Sequence, residues 1–233
     1  MDNMIKIHDR GNRGKTRTGW LNSAHTFSFG DFRDPTRMGF KTLRVINDDV
    51  VVPGAGFDTH PHKDMEIITY ILEGELAHKD SLGTGSVIRP GEIQRMSAGT
   101  GILHSEFNPS NDNPVHLLQI WMLPESKGLP PSYEQKKIPD VRNEFVLIGD
   151  RQGTGGAITV HQDAHIYAAK IDEGQKVIHD FKGGRSGFLH VARGQVILNG
   201  EVLKEGDGAE IPDTPQIILE GLTDTEVLLF DMA

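Results

Sequence analysis

The chain has 233 residues, which suits one large β domain or two domains of roughly 100–120 residues each. It carries 33 acidic and 24 basic residues, a formal net charge of −9 at pH 7, so a general nucleic-acid-binding surface is not expected. It has no cysteine, which excludes a disulfide framework, a thiol nucleophile and a thiolate metal site.

Composition and spacing predict an all-β fold. Glycine is abundant, at 27 residues, proline reaches 12, and amphipathic helical periodicity is scarce. Short apolar runs broken by Gly, Pro, Asp and Asn recur about every eight to twelve residues, which is typical of a sandwich or barrel. The first residues lack the apolar core of a signal peptide, and no apolar run approaches the ~20 residues that span a bilayer. We therefore expect a cytoplasmic protein that does not contact a membrane.

The first predicted elements lie in an aromatic segment at residues 19–32. His25, Phe27 and Phe29 alternate there, so they can share one face of a strand. A lid packed over a barrel mouth is favoured over a direct chemical role for His25. Residues 41–51 indicate strand, turn and strand, and a turn at 53–58 leads into the next strand.

Two pairs of metal-binding side chains follow. In an extended strand, residues i and i+2 point to the same face, so His60 and His62 aim their imidazoles into one space. After a glycine-rich turn at 97–101, His104 and Glu106 form a second same-face pair. If the two strands lie opposite each other inside a barrel, three neutral imidazoles and one carboxylate converge. That set suits a divalent first-row metal with open coordination positions.

Other interpretations of these residues stay open. Two histidines around a proline also occur as the polar end of a strand, and zinc with three histidines fits a hydrolytic site. The second pair favours the metal site, whereas the spacing does not choose the metal. Further along, a strand at 116–123 places His116 and Gln119 on opposite faces, so one of them faces the barrel interior.

The second half of the chain repeats the first in weaker form. Residues 190–196, around Gly194, align with residues 70–76, around Gly74. This alignment places Asp180 and Lys182 at the positions of the first histidine pair. A lysine cannot replace a neutral imidazole as a ligand, so we expect the second half to form a barrel without metal.

These segments resemble the two cupin motifs, whose residues here are Gly54, His60, His62 and Glu66 for the first and Gly101, His104 and Asn108 for the second. The fuller resemblance is to the pirin family, which includes bacterial quercetin 2,3-dioxygenase-like proteins. It runs over residues 20–32, 40–49, the histidine segment, 97–108, 119–124 and, more weakly, the C-terminal half.

The resemblance implies a bicupin, in which two cupin barrels (double-stranded β-helix, jelly-roll) lie face to face in one chain. The expected domains are a metal-binding barrel at 1–125 and a degenerate barrel without metal at 126–233. The family's ligands fall on His60, His62, His104 and Glu106. Glu66 matches a glutamate that germin-like cupins use as a ligand, but it stands one residue closer to His62 here. We therefore expect Glu66 to be a carboxylate in or near the pocket rather than a ligand.

The resemblance also implies one divalent metal ion, with Fe(II) favoured and Mn, Ni, Co, Cu or Zn as alternatives. The implied activity is cleavage of a flavonol such as quercetin at the 2,3-bond, with dioxygen as the second substrate and release of carbon monoxide. Glu106 would take the proton of the flavonol 3-hydroxyl. Phe27, Phe29 and Phe57 are candidates to line an aromatic pocket.

Two other classes of function stay open. One is a non-enzymatic, redox-sensing iron protein that binds a regulatory protein, and the other is a cupin isomerase that acts on sugars. We expect a monomer that does not bind nucleic acid directly.

Overall fold

The computed structural model describes residues 5–212 and 214–233. Residues 1–4, which belong to the segment considered for a leader, lie outside them. The described chain forms 22 β-strands and two single-turn 3₁₀ helices, Arg10–Asn12 and Thr154–Gly156. The prediction of an all-β protein is therefore confirmed. The described residues contain no helix with the length and hydropathy needed to cross a membrane.

The strands are numbered in chain order. The first twelve are β1 (Lys6–His8), β2 (Gly14–Arg17), β3 (Leu21–His25), β4 (Leu43–Val51), β5 (Gly56–His62), β6 (Glu66–Glu73), β7 (Leu76–Asp80), β8 (Gly85–Ile88), β9 (Glu92–Ser97), β10 (Ile102–Phe107), β11 (Val115–Met122) and β12 (Ser132–Lys137). The other ten are β13 (Val146–Asp150), β14 (Ile158–Thr159), β15 (Ala164–Ile171), β16 (Lys176–Asp180), β17 (Ser186–Arg193), β18 (Gln195–Leu198), β19 (Glu201–Lys204), β20 (Gly208–Ile211), β21 (Gln216–Gly221) and β22 (Thr225–Met232).

The chain divides into two compact units. The first unit comprises Gly14–Ile138 and Ile158–Gln162, and the second comprises Met1–Arg13, Pro139–Ala157 and Asp163–Ala233. This division differs from the expected boundary between residues 125 and 126, and strand pairing gives the reason. Strand β12 extends the first unit because it pairs with β9, and β1 joins the second unit because it pairs with β20.

The first unit contains two antiparallel sheets. The larger sheet has the order β12-β9-β6-β11-β4-β3-β2, and the smaller has the order β5-β10-β7-β8. Strand β6 is rich in β-branched and aromatic residues and is buried along nearly its whole length. Seven buried apolar side chains form a core cluster in this unit: Leu21, Val51, Ile71, Leu76, Ile88, Val115 and Leu117. Each large apolar side chain contributes about 1.5–3 kcal/mol by leaving water.

The second unit has the same strand order as the core of the first. Its sheets contain the runs β20-β17-β22-β15 and β16-β21-β18-β19, which correspond to β9-β6-β11-β4 and β5-β10-β7-β8. The aligned glycines occupy the same turn, with φ of 74° at Gly74 and 76° at Gly194. This left-handed conformation costs glycine less than any residue with a Cβ. Each unit therefore has the cupin arrangement, as the internal repeat predicted.

Candidate metal centre

Strands β5 and β10 of the smaller sheet bring three histidines together. Their antiparallel register sets His104 opposite His60 and Ile102 opposite His62. The three imidazole rings have centroids 4.5–4.9 Å apart. One nitrogen from each ring lies within 4.8 Å of the others, close enough for all three to bind one ion. The structure thus places the two predicted strands opposite each other.

The three imidazoles are prepared to act as ligands. The Nδ1 of His60 donates to the backbone carbonyl of Asp58 at 2.7 Å, which leaves Nε2 as the nitrogen with a free lone pair. His104 is 2% exposed, and among the described residues neither of its ring nitrogens has a hydrogen-bond partner. A buried polar atom without a partner costs about 1–3 kcal/mol, and a bound metal ion would remove that cost. The residues therefore fit a metal ion.

The pKa values of two of these histidines favour the neutral form that binds metals. Burial is the main cause, and repulsion from His60 adds to it, so that the pKa of His62 falls to about 4. Burial, together with the neighbouring histidines, lowers the pKa of His104 to about 2. Because both rings are neutral near pH 7, protons do not compete with a metal ion for them.

Glu106 is held beside the histidines by hydrogen bonds from the larger sheet. Its carboxylate is buried, and burial raises its pKa, while His78 and a hydrogen bond from Gln119 act in the opposite direction. The Nε2 of Gln119 donates to Oε2 of Glu106 at 2.7 Å. The hydroxyl of Thr69 lies 3.4 Å from Oε1 of Glu106. Gln119 therefore fixes one carboxylate oxygen and leaves the other less strongly bound.

His78 is a member of this cluster that the sequence did not identify. It lies opposite Glu106 in the β7–β10 pairing, and His78, His104 and Glu106 form a second group of potential ligand atoms within 4.8 Å. Its Nε2 is 3.1 Å from Oδ2 of Asp80, and both side chains are buried. His78 and Asp80 have the same i, i+2 spacing as the two predicted pairs, and this was the available signal. The two groups share only His104.

Glu66 lies elsewhere in the first unit. Its Oε2 accepts hydrogen bonds from the backbone N and the Nδ1 of His161, both at 3.2 Å. Glu66 is not among the residues that line the cavity next to the histidines. Glu66 acts in the packing of residues 158–162, a position that differs from the expectation that it lies in or near the pocket.

The histidines open into a cavity with aromatic walls. Its volume is about 450 Å³, within the ~300–1,000 Å³ that is typical of small-molecule sites. The rings of Trp20 and Phe57 pack edge to face with their centroids 5.1 Å apart, and those of Phe29 and Trp121 do the same with centroids 5.5 Å apart. Phe27 is 1% exposed and is not one of the lining residues. Two of the three phenylalanines considered as lining residues thus line the cavity, together with two tryptophans.

A β-bulge explains how one strand supplies both histidines and an aromatic side chain. On β10, His104 pairs with His60 and Glu106 pairs with Phe57. Two steps on β10 therefore match three steps on β5, so the alternation of faces on β5 reverses between Phe57 and His60. As a result, odd-numbered Phe57 lines the same cavity as even-numbered His60 and His62.

A row of polar side chains crosses the inner face of the larger sheet. Cross-strand pairing places His25, Asn47, Gln119 and Thr69 side by side on β3, β4, β11 and β6. The hydroxyl of Thr16 is 2.8 Å from Nε2 of His25, and Nδ1 of His25 is 2.7 Å from Oδ1 of Asn47. His25 is thus fixed in a strand and lines the cavity, so the prediction of a lid at this position is wrong.

The second unit has an ion-pair network at β16 and β22, the strands that correspond to β5 and β11 of the first unit. On β22, Asp231 accepts a hydrogen bond from Nε2 of His179 at 3.0 Å and pairs with the guanidinium of Arg185. Arg185 also pairs with Asp163 at 2.7 Å. Hydrogen bonds from His179 and Arg185 lower the pKa of Asp231 against the opposing effect of burial. In this unit a guanidinium supplies the positive charge near the carboxylates.

Comparison with known proteins extends these observations. Residues 7–122 match the pirin family model, and residues 147–232 match the model described as quercetinase C-terminal cupin domain. A quercetin 2,3-dioxygenase of Escherichia coli (strain K12) is 44% identical over 229 residues, which cover 98% of this chain and 99% of that protein. A putative quercetin 2,3-dioxygenase of Pseudomonas aeruginosa is 40% identical over 224 residues, which cover 94% of this chain and 96% of that protein.

Solved structures of other proteins are also similar to this chain over nearly its whole length. The crystal structure of YhhW from Escherichia coli matches with a TM-score of 0.95 at 44% identity, covering 99% of this chain and 98% of that one. The structure of bacterial pirin YhhW from Escherichia coli in complex with nickel(II) matches with a TM-score of 0.94 at 44% identity, covering 98% and 99%. Relatives of this similarity span nearly the whole chain and both of its units. The chain therefore belongs to the pirin family of two-domain cupin proteins.

Proposed function

We propose that the protein is a metal-dependent dioxygenase that cleaves a flavonol such as quercetin at the 2,3-bond and releases carbon monoxide. One observation carries this proposal. Neutral imidazoles and a buried carboxylate meet at a cavity whose walls are aromatic, which suits a planar aromatic substrate that must reach a metal ion. The relatives named quercetin 2,3-dioxygenase support an enzyme of this class.

The proposed ligands are His60, His62, His104 and Glu106, and the proposed metal site is confined to the first unit. A mixed set of imidazole nitrogen and carboxylate oxygen suits Fe(II), which we propose as the working ion, and it also accepts Mn, Ni, Co, Cu or Zn. The nickel(II) complex of YhhW shows that a related protein binds a divalent metal. When bound, the ion supplies Lewis acidity toward the substrate hydroxyl and redox capacity toward dioxygen.

The side chains of the chain have separate tasks in this reaction. Glu106 accepts the proton of the 3-hydroxyl at Oε1, because the stronger hydrogen bond from Gln119 occupies Oε2. Burial raises the pKa of Glu106, which makes its carboxylate a better base than an exposed one. The aromatic walls, including Phe57 and Trp121, orient the planar substrate and exclude water from the reacting carbon atoms.

The test starts from protein purified without oxygen and reconstituted with Fe(II). Quercetin absorbance is followed with and without dioxygen, and carbon monoxide is measured in parallel. We expect oxygen-dependent decay with stoichiometric carbon monoxide, lost together with the metal in His62→Ala. His116→Gln is a matched control, because His116 faces away from the cavity and pairs with Asp48 at 2.6 Å. Full metal occupancy without oxygen-dependent decay would refute the proposal.

A second candidate is a redox-sensing iron protein that binds a regulatory protein. The observation that favours it is the outer face of β10, where Leu103 and Phe107 are 48% and 36% exposed and flank the inward-facing His104 and Glu106. A change in the oxidation state of the metal would act directly on the strand that presents these apolar side chains. This candidate predicts no turnover, together with different hydrogen-exchange protection of β10 in the Fe(II) and Fe(III) forms. Conversion of a sugar without oxygen would instead indicate an isomerase.

A further inference from the structure

We propose that Asp49 is a substrate-recognition residue that accepts a hydrogen bond from a ring hydroxyl of the aromatic substrate, distinct from the hydroxyl at the reacting carbon. This inference rests on the proposed function, because it assigns a specificity contact in the same cavity. It narrows the substrate class to aromatic compounds that carry an additional phenolic hydroxyl.

One oxygen of the Asp49 carboxyl group is a buried acceptor without a donor among the described residues. It lies on β4, lines the cavity and is 3% exposed. Its register partner on β3 is Ser23, which supplies a hydrogen bond to the carboxyl group. Within the described part of the chain, Oδ1 of Asp49 has no hydrogen-bond partner. A buried carboxyl oxygen without a hydrogen-bond partner costs free energy. A ligand with a hydroxyl at this position would therefore be bound in preference to an analogue that lacks the hydroxyl.

The polar side chains around Asp49 are already engaged with one another. The ring of His25 uses one nitrogen for Thr16 and the other for Asn47. The amide of Gln119 donates to the carboxylate at the proposed metal centre. Asp49 therefore adds to this row of polar side chains an acceptor that is not already used.

One residue that lines the cavity also carries a hydrogen-bond donor without a partner among the described residues. Trp121 lines the cavity, and within the described residues the buried indole Nε1–H has no hydrogen-bond acceptor. The indole ring is held edge to face against His62 at 4.9 Å. A ligand that carries a hydroxyl donor and an oxygen acceptor can satisfy Asp49 and Trp121 together. Polyhydroxylated flavonols carry both kinds of group, whereas a plain aromatic hydrocarbon carries neither.

The energetics of Asp49 support a role in binding rather than in folding. The pKa of its carboxyl is raised to about 7, mainly by burial. Asp48 and Glu106 contribute to this rise, and Ser23 and His116 act in the opposite direction. A carboxyl group whose pKa is raised in this way reduces stability near neutral pH. Such groups occur mainly at functional sites. Near pH 7 both protonation states are present, and each can accept a hydrogen bond from a phenol.

The experiment compares two flavonols that both carry the hydroxyl at the reacting carbon but differ in their other ring hydroxyls. Quercetin carries additional ring hydroxyls, and 3-hydroxyflavone carries only the hydroxyl at the reacting carbon. The variant Asp49→Leu removes the acceptor at nearly constant size, and Asp49→Ala, which also lacks the acceptor, serves if the leucine variant does not fold. We expect Asp49→Leu to lower kcat/KM for quercetin roughly 10–100-fold and to change that for 3-hydroxyflavone by less than about threefold.

The matched control is Asp48→Asn, at the preceding position on the same strand. Asp48 faces the other way and binds His116 at 2.6 Å, so its substitution should leave the preference between the two flavonols unchanged. The second readout is anaerobic calorimetric binding of both flavonols to the metal-loaded protein, which does not turn over without dioxygen. Wild-type protein should bind quercetin more tightly than 3-hydroxyflavone, and Asp49→Leu should remove most of that difference.

The outcomes separate this inference from the proposed function. Equal losses for both flavonols in Asp49→Leu would overturn the inference, because Asp49 would then act on the fold or on the reaction itself. If the wild type holds its metal but turns over neither flavonol, the proposed function fails. The role of Asp49 in substrate recognition is then tested by the binding experiment alone. An Asp49-dependent preference for quercetin in that experiment would sustain the inference, and equal binding would overturn it.

Discussion

Replacing Asp49 by asparagine should make the protein more stable near neutral pH. In the folded protein, burial raises the pKa of Asp49 to about 7 from the ordinary 3.8. Between these values the folded chain keeps a proton that the unfolded chain has released, so stability falls as pH rises from about 4 to about 7 and is level above that. The whole difference corresponds to about 4 kcal/mol, which is an upper value for the gain in Asp49→Asn.

The assay is urea unfolding of metal-depleted wild type and Asp49→Asn at several pH values. Because asparagine does not titrate, the gain in stability should be small at about pH 5 and larger by about 3 kcal/mol at about pH 8. Asp48→Asn provides the reference for removing a carboxyl group from the same strand. If Asp49→Asn is less stable than wild type by the same amount at both pH values, the carboxyl is part of the structural packing and the reasoning is refuted.

Three further substitutions test how the candidate metal centre is supported. Gln119→Leu removes the 2.7 Å hydrogen bond to Glu106 and should weaken metal binding about 10–100-fold in a chelator competition, and unchanged affinity would contradict this role. In Gly56→Ala the added Cβ would lie 2.1 Å from the carbonyl oxygen of Glu106, so β10 must shift and metal affinity should fall. The control is Gly85→Ala, whose added Cβ meets no atom within 4 Å, so this variant should bind the metal with normal affinity. Asp80→Ala leaves two backbone amides and a buried histidine without their acceptor, so urea unfolding should show a loss of about 3–5 kcal/mol. A loss below about 1 kcal/mol would argue against a structural role for these hydrogen bonds.

The part of the site that the sequence predicted depends on local geometry. The i, i+2 rule needs only an extended strand, so it correctly placed His60 with His62 and His104 with Glu106. The same rule placed Gln119 on the opposite face from His116, and the structure shows Gln119 in the cavity. Spacing within one strand is fixed by covalent geometry, so these predictions did not require the register between strands.

The part that was missed depends on pairing between distant segments. His78 approaches Glu106 only because β7 pairs with β10, and Asp49 reaches the cavity wall only in the register of β3, β4 and β11. The pairing of β1 with β20 is long-range in the same way. Strand β1 has three residues and little hydrophobic pattern of its own, and its partner Glu210 lies 204 positions from Lys6. Such long-range pairings depend on side-chain packing across the whole unit.

The bulge in β5 divides that strand into two functional halves. On one side the strand presents imidazoles, and on the other it presents the ring of Phe57, which packs against Trp20 at 5.1 Å. If residues 57–60 paired with β10 without the bulge, regular alternation would turn one of these sets away from the cavity. Substitutions on either side of the bulge leave the other set in place. Sequence change in this family can therefore remodel the aromatic wall without disturbing the histidines, provided that Phe57 and His60 continue to share one face of β5.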